Sequence, residues 1–317
     1  MRRHPLILVV CLACASAAAQ TMRMPDASEA SRAPSFRRSE DVDLAFGAYQ
    51  RGLYLTAFRE ATARIDRNRS DAAAMTLLGE LFNQGLGVRQ DSTEAAEWYR
   101  LAAERGEPHA MATLGLMAAD GRGVKRDTAA ARSWFEKAAA QGEPTAAYNL
   151  ALILLASGAP DGLERAATLM RIASDSEIGD AQHDLGVLYA RGRGVPKDDA
   201  EAARLYIRAA KNGSVAGEVE LAIALFNGEG VPKNEAGAAR LFRRAALRGN
   251  AIAQNRLARI YATGRGAPRN LVEAAAWHLV AAGQGLADAW LDGALKDMSA
   301  PDRTRAEQLA NERAAAL

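Results

Sequence analysis

The sequence predicts an all-α protein, a solenoid of about six helix–turn–helix units, each about 36 residues long. Three observations predict it. A leucine recurs at Leu78, Leu114, Leu150, Leu185, Leu221 and Leu257, at spacings of 36, 36, 35, 36 and 36 residues. A Gly-x-Gly follows that leucine at a fixed distance in all but the third copy. Alanine is abundant and aromatics make up only 6% of the 317 residues, a composition suited to helices packed closely through small side chains.

The chain opens with a segment of another kind. Arg2, Arg3 and His4 precede an uncharged apolar run, Leu6 to Ala13, and Ala17-Ala18-Ala19 places small residues where a signal peptidase cuts. This pattern reads as a signal peptide over 1–19, cleaved near Gln20. The apolar run falls short of the roughly 20 residues a membrane span needs, so the mature chain is expected in the periplasm or secreted, with no span. Cys11 and Cys14 both lie in that segment, which leaves no mature disulfide or thiol. Its removal takes away Arg2 and Arg3 and no acid, so the formal charge falls from +2 to zero. Such a balance gives no bulk attraction to nucleic acid.

Residues 20–40 are polar and aperiodic, with Pro25 and Pro34, and read as a disordered linker. Over 41–70, Ala45, Ala48, Ala57 and Ala61 are spaced as in a helical hairpin with Gly52 at its turn.

The repeats fill 71–286. In each, helix A carries the fixed leucine. Then come Gly85-Leu86-Gly87, Gly121-Arg122-Gly123, Gly192-Arg193-Gly194, Gly228-Glu229-Gly230 and Gly264-Arg265-Gly266. Asp91, Asp127, Asp198, Asn234 and Asn270 follow as N-caps of helix B. Glu94, Glu201 and Glu273, three residues beyond three of those caps, suggest capping boxes. Helix B carries Trp98-Tyr99, Trp134-Phe135 or Trp277-His278, and the recurring tryptophans are expected in the core. A glycine closes the helix at Gly106, Gly142, Gly213, Gly249 and Gly285, where a left-handed cap is natural. One such hairpin cannot bury its own apolar stripe, whereas a stack of them can.

The third copy has Ser157-Gly158-Ala159-Pro160 in place of the glycine turn, which predicts a distorted or lengthened loop over 157–163 and the weakest interfaces of the stack. Residues 287–317 read as capping helices. The first is anchored by Trp290, and the second, charged one starts at Ser299 with Asp302 answering it.

Chemistry is sparse. The Gly-x-Gly turns lack the preceding strand and third glycine of a dinucleotide site, and no Walker lysine is present. His109, His183 and His278 make no metal-type pair. No Gly-x-Ser-x-Gly or Ser-x-x-Lys occurs. The expectation is no enzyme, no cofactor and no metal.

The best-formed copy runs Asp180-Ala181-Gln182-His183-Asp184-Leu185-Gly186-Val187-Leu188-Tyr189, then Gly192-Arg193-Gly194-Val195-Pro196-Lys197-Asp198, then Ala202-Ala203 to Ala209-Ala210. It resembles the Sel-one-like repeat, a cousin of the tetratricopeptide repeats, over about 71–286. The hairpin at 41–70 looks more like a plain tetratricopeptide unit. The resemblance implies a right-handed α-solenoid that scaffolds protein–protein contacts. It also implies links to periplasmic partners of sensor kinases, to envelope assembly and, in a cysteine-rich branch, to penicillin binding. The leading expectation is a non-enzymatic scaffold or adaptor exported to the bacterial cell envelope. The alternative is a periplasmic inhibitor of a membrane sensor kinase or envelope enzyme. A penicillin-processing hydrolase is a third reading, for which a chain without mature cysteine is a poor model.

The docking face is read from variation between copies. One helix A column holds Leu77, Thr113, Asn149, Asp184, Glu220 and Arg256. Three residues on, the same helical face includes Leu152, Val187, Ile223 and Arg259, and four further on Arg191, Asn227 and Thr263. The expected protein-binding residues are Asn149, Leu152, Asp184, Val187, Arg191, Glu220 and Arg256. In solenoids of this kind the A helices line the concave surface, and the side chains there are expected to be exposed.

Overall fold

A computed structural model describes residues 43–158 and 160–317. The signal peptide and linker expected over 1–19 and 20–40 lie outside the described residues. Among the described residues there are sixteen helices and no strand.

The chain divides into two compact units, 1–141 and 142–317. The boundary falls directly before the third repeat. The first unit holds three hairpins: α1 (Leu44–Gln50) with α2 (Tyr54–Arg67), α3 (Ala72–Gln84) with α4 (Ser92–Glu104), and α5 (Pro108–Asp120) with α6 (Thr128–Ala139). In the second unit, α7 (Pro144–Ser157) pairs with α8 (Pro160–Asp175), and α9 (Gly179–Arg191) with α10 (Asp199–Lys211). Two further pairs are α11 (Val215–Asn227) with α12 (Glu235–Leu247), and α13 (Ala251–Thr263) with α14 (Leu271–Gly283). The short α15 (Ala289–Leu295) and α16 (Ala300–Ala316) complete the second unit. Within each unit every A helix packs on its own B helix, and each B helix on the next A helix. The fold is an α-solenoid of helical hairpins.

Local chemistry sets these boundaries. Asp91, Asp127, Asp198, Asn234 and Asn270 cap the B helices, each accepting from amides of the first turn. The capping boxes are only half formed. The amides of Asp91, Asp198 and Asn270 donate back to the carbonyls of Phe82, Tyr189 and Tyr261 in helix A. The glutamates therefore turn elsewhere, Glu94 to the Trp98 indole, Glu201 to Arg204 and Glu273 to Arg313.

The second glycine of each turn has a tertiary task. Gly230 sits at φ +69°, and a Cβ there would lie 1.9 Å from the Asp199 carbonyl oxygen, at the start of the preceding B helix. Gly123 meets Ser92 in the same way at 1.9 Å. The loop thus lies directly on the first turn of the helix before it, and any side chain would hold the two hairpins apart.

The core follows the register with one correction. Of the paired positions in helix B, the second is buried in every copy: Tyr99, Phe135, Met170, Tyr206, Phe242 and His278 are at most 7% exposed, and the first is buried as well at Leu169, Leu205 and Trp277. Trp98 and Trp134 are only half-buried, and Trp277 alone is core. Neighbouring residues on a helix point about 100° apart, so one faces the partner helix and the other slides to the rim. The buried rings of Tyr99, Phe135 and Tyr206 lie against Gly79, Gly115 and Gly186, where a Cβ would stand 2.6–2.9 Å away. Those glycines make room for an aromatic.

In the second unit a polar position ties helix A to its own helix B. Gln182, Glu218 and Gln254 are fully buried at one register of helix A. Asn212 donates to Gln182 at 2.9 Å, Arg244 to Glu218, and Gln284 to Gln254 at 3.0 Å. A buried carboxylate requires such pairing. The first unit fills this register with Met75 and Met111 instead.

The third repeat departs from its neighbours by shortening. Helix α7 runs to Ser157 and α8 starts at Pro160, so the connection is not lengthened; of its residues, Ala159 lies outside the described ones. Proline at the first helical position has no amide to leave unbonded and a preset φ, which lets α8 begin early and reach 16 residues against 13 for α10. At the C-terminal end, Leu291 (0% exposed) anchors α15, and Trp290, expected as that anchor, is 47% exposed. Ser299 caps α16 through the Asp302 amide, as read from sequence.

Candidate protein-binding surface

The A-helix columns do not form one uniform exposed face. Asn149 is 3% exposed, and its amide donates to the Thr145 carbonyl at 2.8 Å, which corrects its expected exposure. In this helix the column turns inward and the amide is satisfied within the helix. Asp184 is half-buried, accepting from the Tyr148 hydroxyl at 3.1 Å and lying 2.8 Å from His183 Nδ1. Leu152, Val187 and Glu220 are half-buried, and Arg191 and Arg256 are exposed.

The columns open into a groove at the last two repeats. Its volume is about 240 Å3. The A helices α11 and α13 supply Ile223, Asn227, Arg256, Arg259 and Thr263, all in the three columns read from sequence. Arg256 is thus the one expected binding residue that the groove includes; Asn149, Leu152, Asp184, Val187, Arg191 and Glu220 lie outside it.

Sequence reasoning missed the rest of the lining: Phe226, Phe242, Ile260, Arg265 and Trp290. Arg265 is the middle residue of the last Gly-x-Gly, a position that holds Leu86, Arg122, Arg193, Glu229 and Arg265. Its variation matched that of the columns and could have revealed it. Trp290 comes from beyond the repeats, so no register position contains it.

The arginines are held in three different ways. Arg259 forms a fork on Asp288, with bonds of 2.7 and 2.9 Å, and lies 5.1 Å from the Trp290 ring centre. Asn255 also donates to Asp288 at 2.7 Å. The Arg259 bond, with Asn255 and the Leu291 amide adding to it, holds the Asp288 carboxyl well below its ordinary range against the opposing effect of burial. Arg265 pairs with Glu235 at 2.6 Å and lies over Phe226 at 4.6 Å. Arg256 makes no hydrogen bond or ion pair among the described residues. The site offers recognition chemistry, namely stacked guanidinium groups, aromatic rims and an apolar floor. Among the described residues no group of three or more His, Cys, Asp or Glu side chains is placed to hold a metal ion, and no helix is long and apolar enough to cross a membrane.

The Sel1 repeat family matches residues 72–107, 108–143, 179–214, 215–250 and 251–286. These segments cover more than half of the chain. The chain belongs to the Sel1 repeat family. The matched segments leave out 144–178, the repeat with the shortened connection. No protein of curated function matches the chain in sequence. A solved Sel1 repeat protein from Oxalobacter formigenes is 28% identical, with a TM-score of 0.65, over 74% of this chain and 93% of that one. A protective antigen of uropathogenic Escherichia coli strains, with an SLR fold, is 26% identical with a TM-score of 0.59 over 82% of this chain. This chain spans 64% of that protein's length. Sel1 repeat proteins are in general protein-interaction scaffolds.

Proposed function

We propose that this protein is a scaffold exported to the bacterial cell envelope, where it docks a protein partner on the A-helix face of its second unit. One observation carries the docking part. The A helices of the last two repeats leave Arg256 exposed and unpaired beside Trp290, itself 47% exposed, in a groove floored by Ile223 and Ile260. Tryptophan and arginine over an apolar floor are the residue types that dominate protein interfaces. Export is supported by the basic start, apolar run and small-residue triplet of residues 1–19.

The test is co-purification from envelope extract of the source cell. A tagged wild-type protein is expected to retain a partner that a triple variant, Asp184→Ala, Glu220→Ala and Arg256→Ala, loses while its helical spectrum is unchanged. Retention of the same partner by the triple variant would place docking elsewhere. Sequencing the N-terminus of the envelope form is expected to begin at Gln20, and a cytosolic form starting at Met1 would overturn export.

A further inference from the structure

From the groove at the last two repeats we infer the chemistry of the partner: an acidic peptide segment that sets a side-chain carboxylate on Arg256 and an adjacent large apolar side chain between Phe226, Ile260 and Trp290. The inference rests on the docking reading above and makes it specific.

Charge decides it. Three arginines line the groove and no carboxylate does. Two of the three are compensated from outside the lining, Arg259 by Asp288 and Arg265 by Glu235. Each is also pressed against an aromatic face, Trp290 or Phe226. Their forks are occupied and their positions fixed. Arg256 has no such partner, and its exposed guanidinium stands over an apolar floor. A guanidinium matches a carboxylate with two parallel bonds. Beside apolar walls that pairing gains strength over the same contact in open water. A basic segment would meet the uncompensated charge of Arg256, and a neutral one would leave its fork empty.

Size points the same way. A volume of about 240 Å3 accommodates one or two side chains and no folded element. The occupant is therefore a short segment whose apolar residue fills the groove while its acid stays at the mouth. The neighbouring columns limit the acidic stretch. Glu220, on α11 at the Arg256 register, and Asp184, one repeat further back, repel carboxylates that extend from Arg256 toward α9.

The test uses fluorescence anisotropy of short end-capped peptides with the full-length mature protein. One peptide alternates leucine with aspartate, a second leucine with asparagine, and a third leucine with lysine. The aspartate peptide is expected to bind, the asparagine peptide at least about tenfold more weakly, and the lysine peptide not at all. Raising the salt concentration is expected to weaken the aspartate peptide selectively. Arg256→Glu is expected to abolish its binding and Arg256→Lys to leave part of it, with circular dichroism and melting unchanged in both. Equal binding of the aspartate and asparagine peptides, or binding that survives Arg256→Glu, would overturn the inference. Saturation of the groove by free indole acetate, without peptide binding, would instead show a small-molecule site and also overturn it. If the envelope partner is still captured through the A-helix face while every acidic peptide fails, the docking reading stands and only this partner chemistry falls.

Discussion

The third repeat and the fifth lie in the same unit and solve the same packing problem differently. In the fifth, α11 and α12 are joined by a loop whose Gly230 touches the start of α10, so that a Cβ would strike the Asp199 carbonyl oxygen at 1.9 Å. In the third, only two residues separate α7 from α8, and the space around Gly158 is open. The fifth ends on Gly249 at φ +83°. The third ends on Glu177 at φ +60°, the one non-glycine residue with positive φ among the described residues. Yet both cores are closed, with Met170 at 0% and Phe242 at 2% exposure. Burial of the helix stripe and fastening of the loop are therefore separable. A repeat can lose its loop contact and keep its core.

The strain at Glu177 has a visible compensation. Its carboxylate accepts from Gln182 and Arg208 at 2.9 and 2.7 Å and from Asn212 at 2.5 Å, all in the following hairpin. A side chain thus takes over the linking role that a glycine loop plays elsewhere.

The largest expected effect separates the two turns. Gly230→Ala adds a left-handed penalty to a backbone clash and is expected to lower unfolding free energy by about 3 kcal/mol or more. Gly158→Ala carries only the backbone penalty, about 1 kcal/mol. Urea denaturation of both variants measures the difference, and equal losses would break the comparison. Next come the cores. Met170→Ala is expected to cost about 2–4 kcal/mol, close to the cost of Phe242→Ala. A loss under about 1 kcal/mol at Met170 in thermal melts would mean that the third repeat is loosely packed after all.

Asn149→Ala is expected to cost about 1 kcal/mol, because it removes a buried, bonded amide, whereas Arg256→Ala leaves the melting temperature unchanged. Calorimetry on the two proteins sharpens the distinction between inward and outward positions of one column. The smallest effect is a pH dependence. The Glu177 carboxyl, held by Gln182 first and by Arg208 and Asn212, is lowered from 4.5 to about 2. The folded form therefore binds its proton less readily than the unfolded chain. Its contribution is complete above about pH 4.5 and disappears as pH falls through about 2. Melting of wild type and Glu177→Gln should differ most near neutral pH and converge toward pH 2; a constant gap would remove Glu177 from the account.

Much of the fold was legible because it is written locally. Asp91, Asp127, Asp198, Asn234 and Asn270 announce the B helices through a cap that needs only the next three residues. What failed was non-local. The half-formed capping boxes could not be foreseen, because the competing bond runs from the Asp91 amide to the Phe82 carbonyl of another helix. Adjacent aromatics such as Trp98-Tyr99 suggested tryptophan as the core ring, and only packing shows that Tyr99 and Phe135 enter the core while Trp98 and Trp134 stay half-buried. In the candidate site, Arg256 was legible as a variable column position. Asn149 looked equivalent to it by register, and only packing shows that one is buried and the other exposed. Trp290 and Asp288 enter from α15, outside any repeat, and no periodicity leads to them.

Site-specific photo-cross-linking tests the docking face most directly. A photoreactive residue at Asn227, on the A-helix groove, and one at Arg243, on the exposed side of α12, would each be irradiated in envelope extract of the source cell. The account predicts a discrete adduct from Asn227 and none from Arg243. An adduct from Arg243 with none from Asn227 would contradict it.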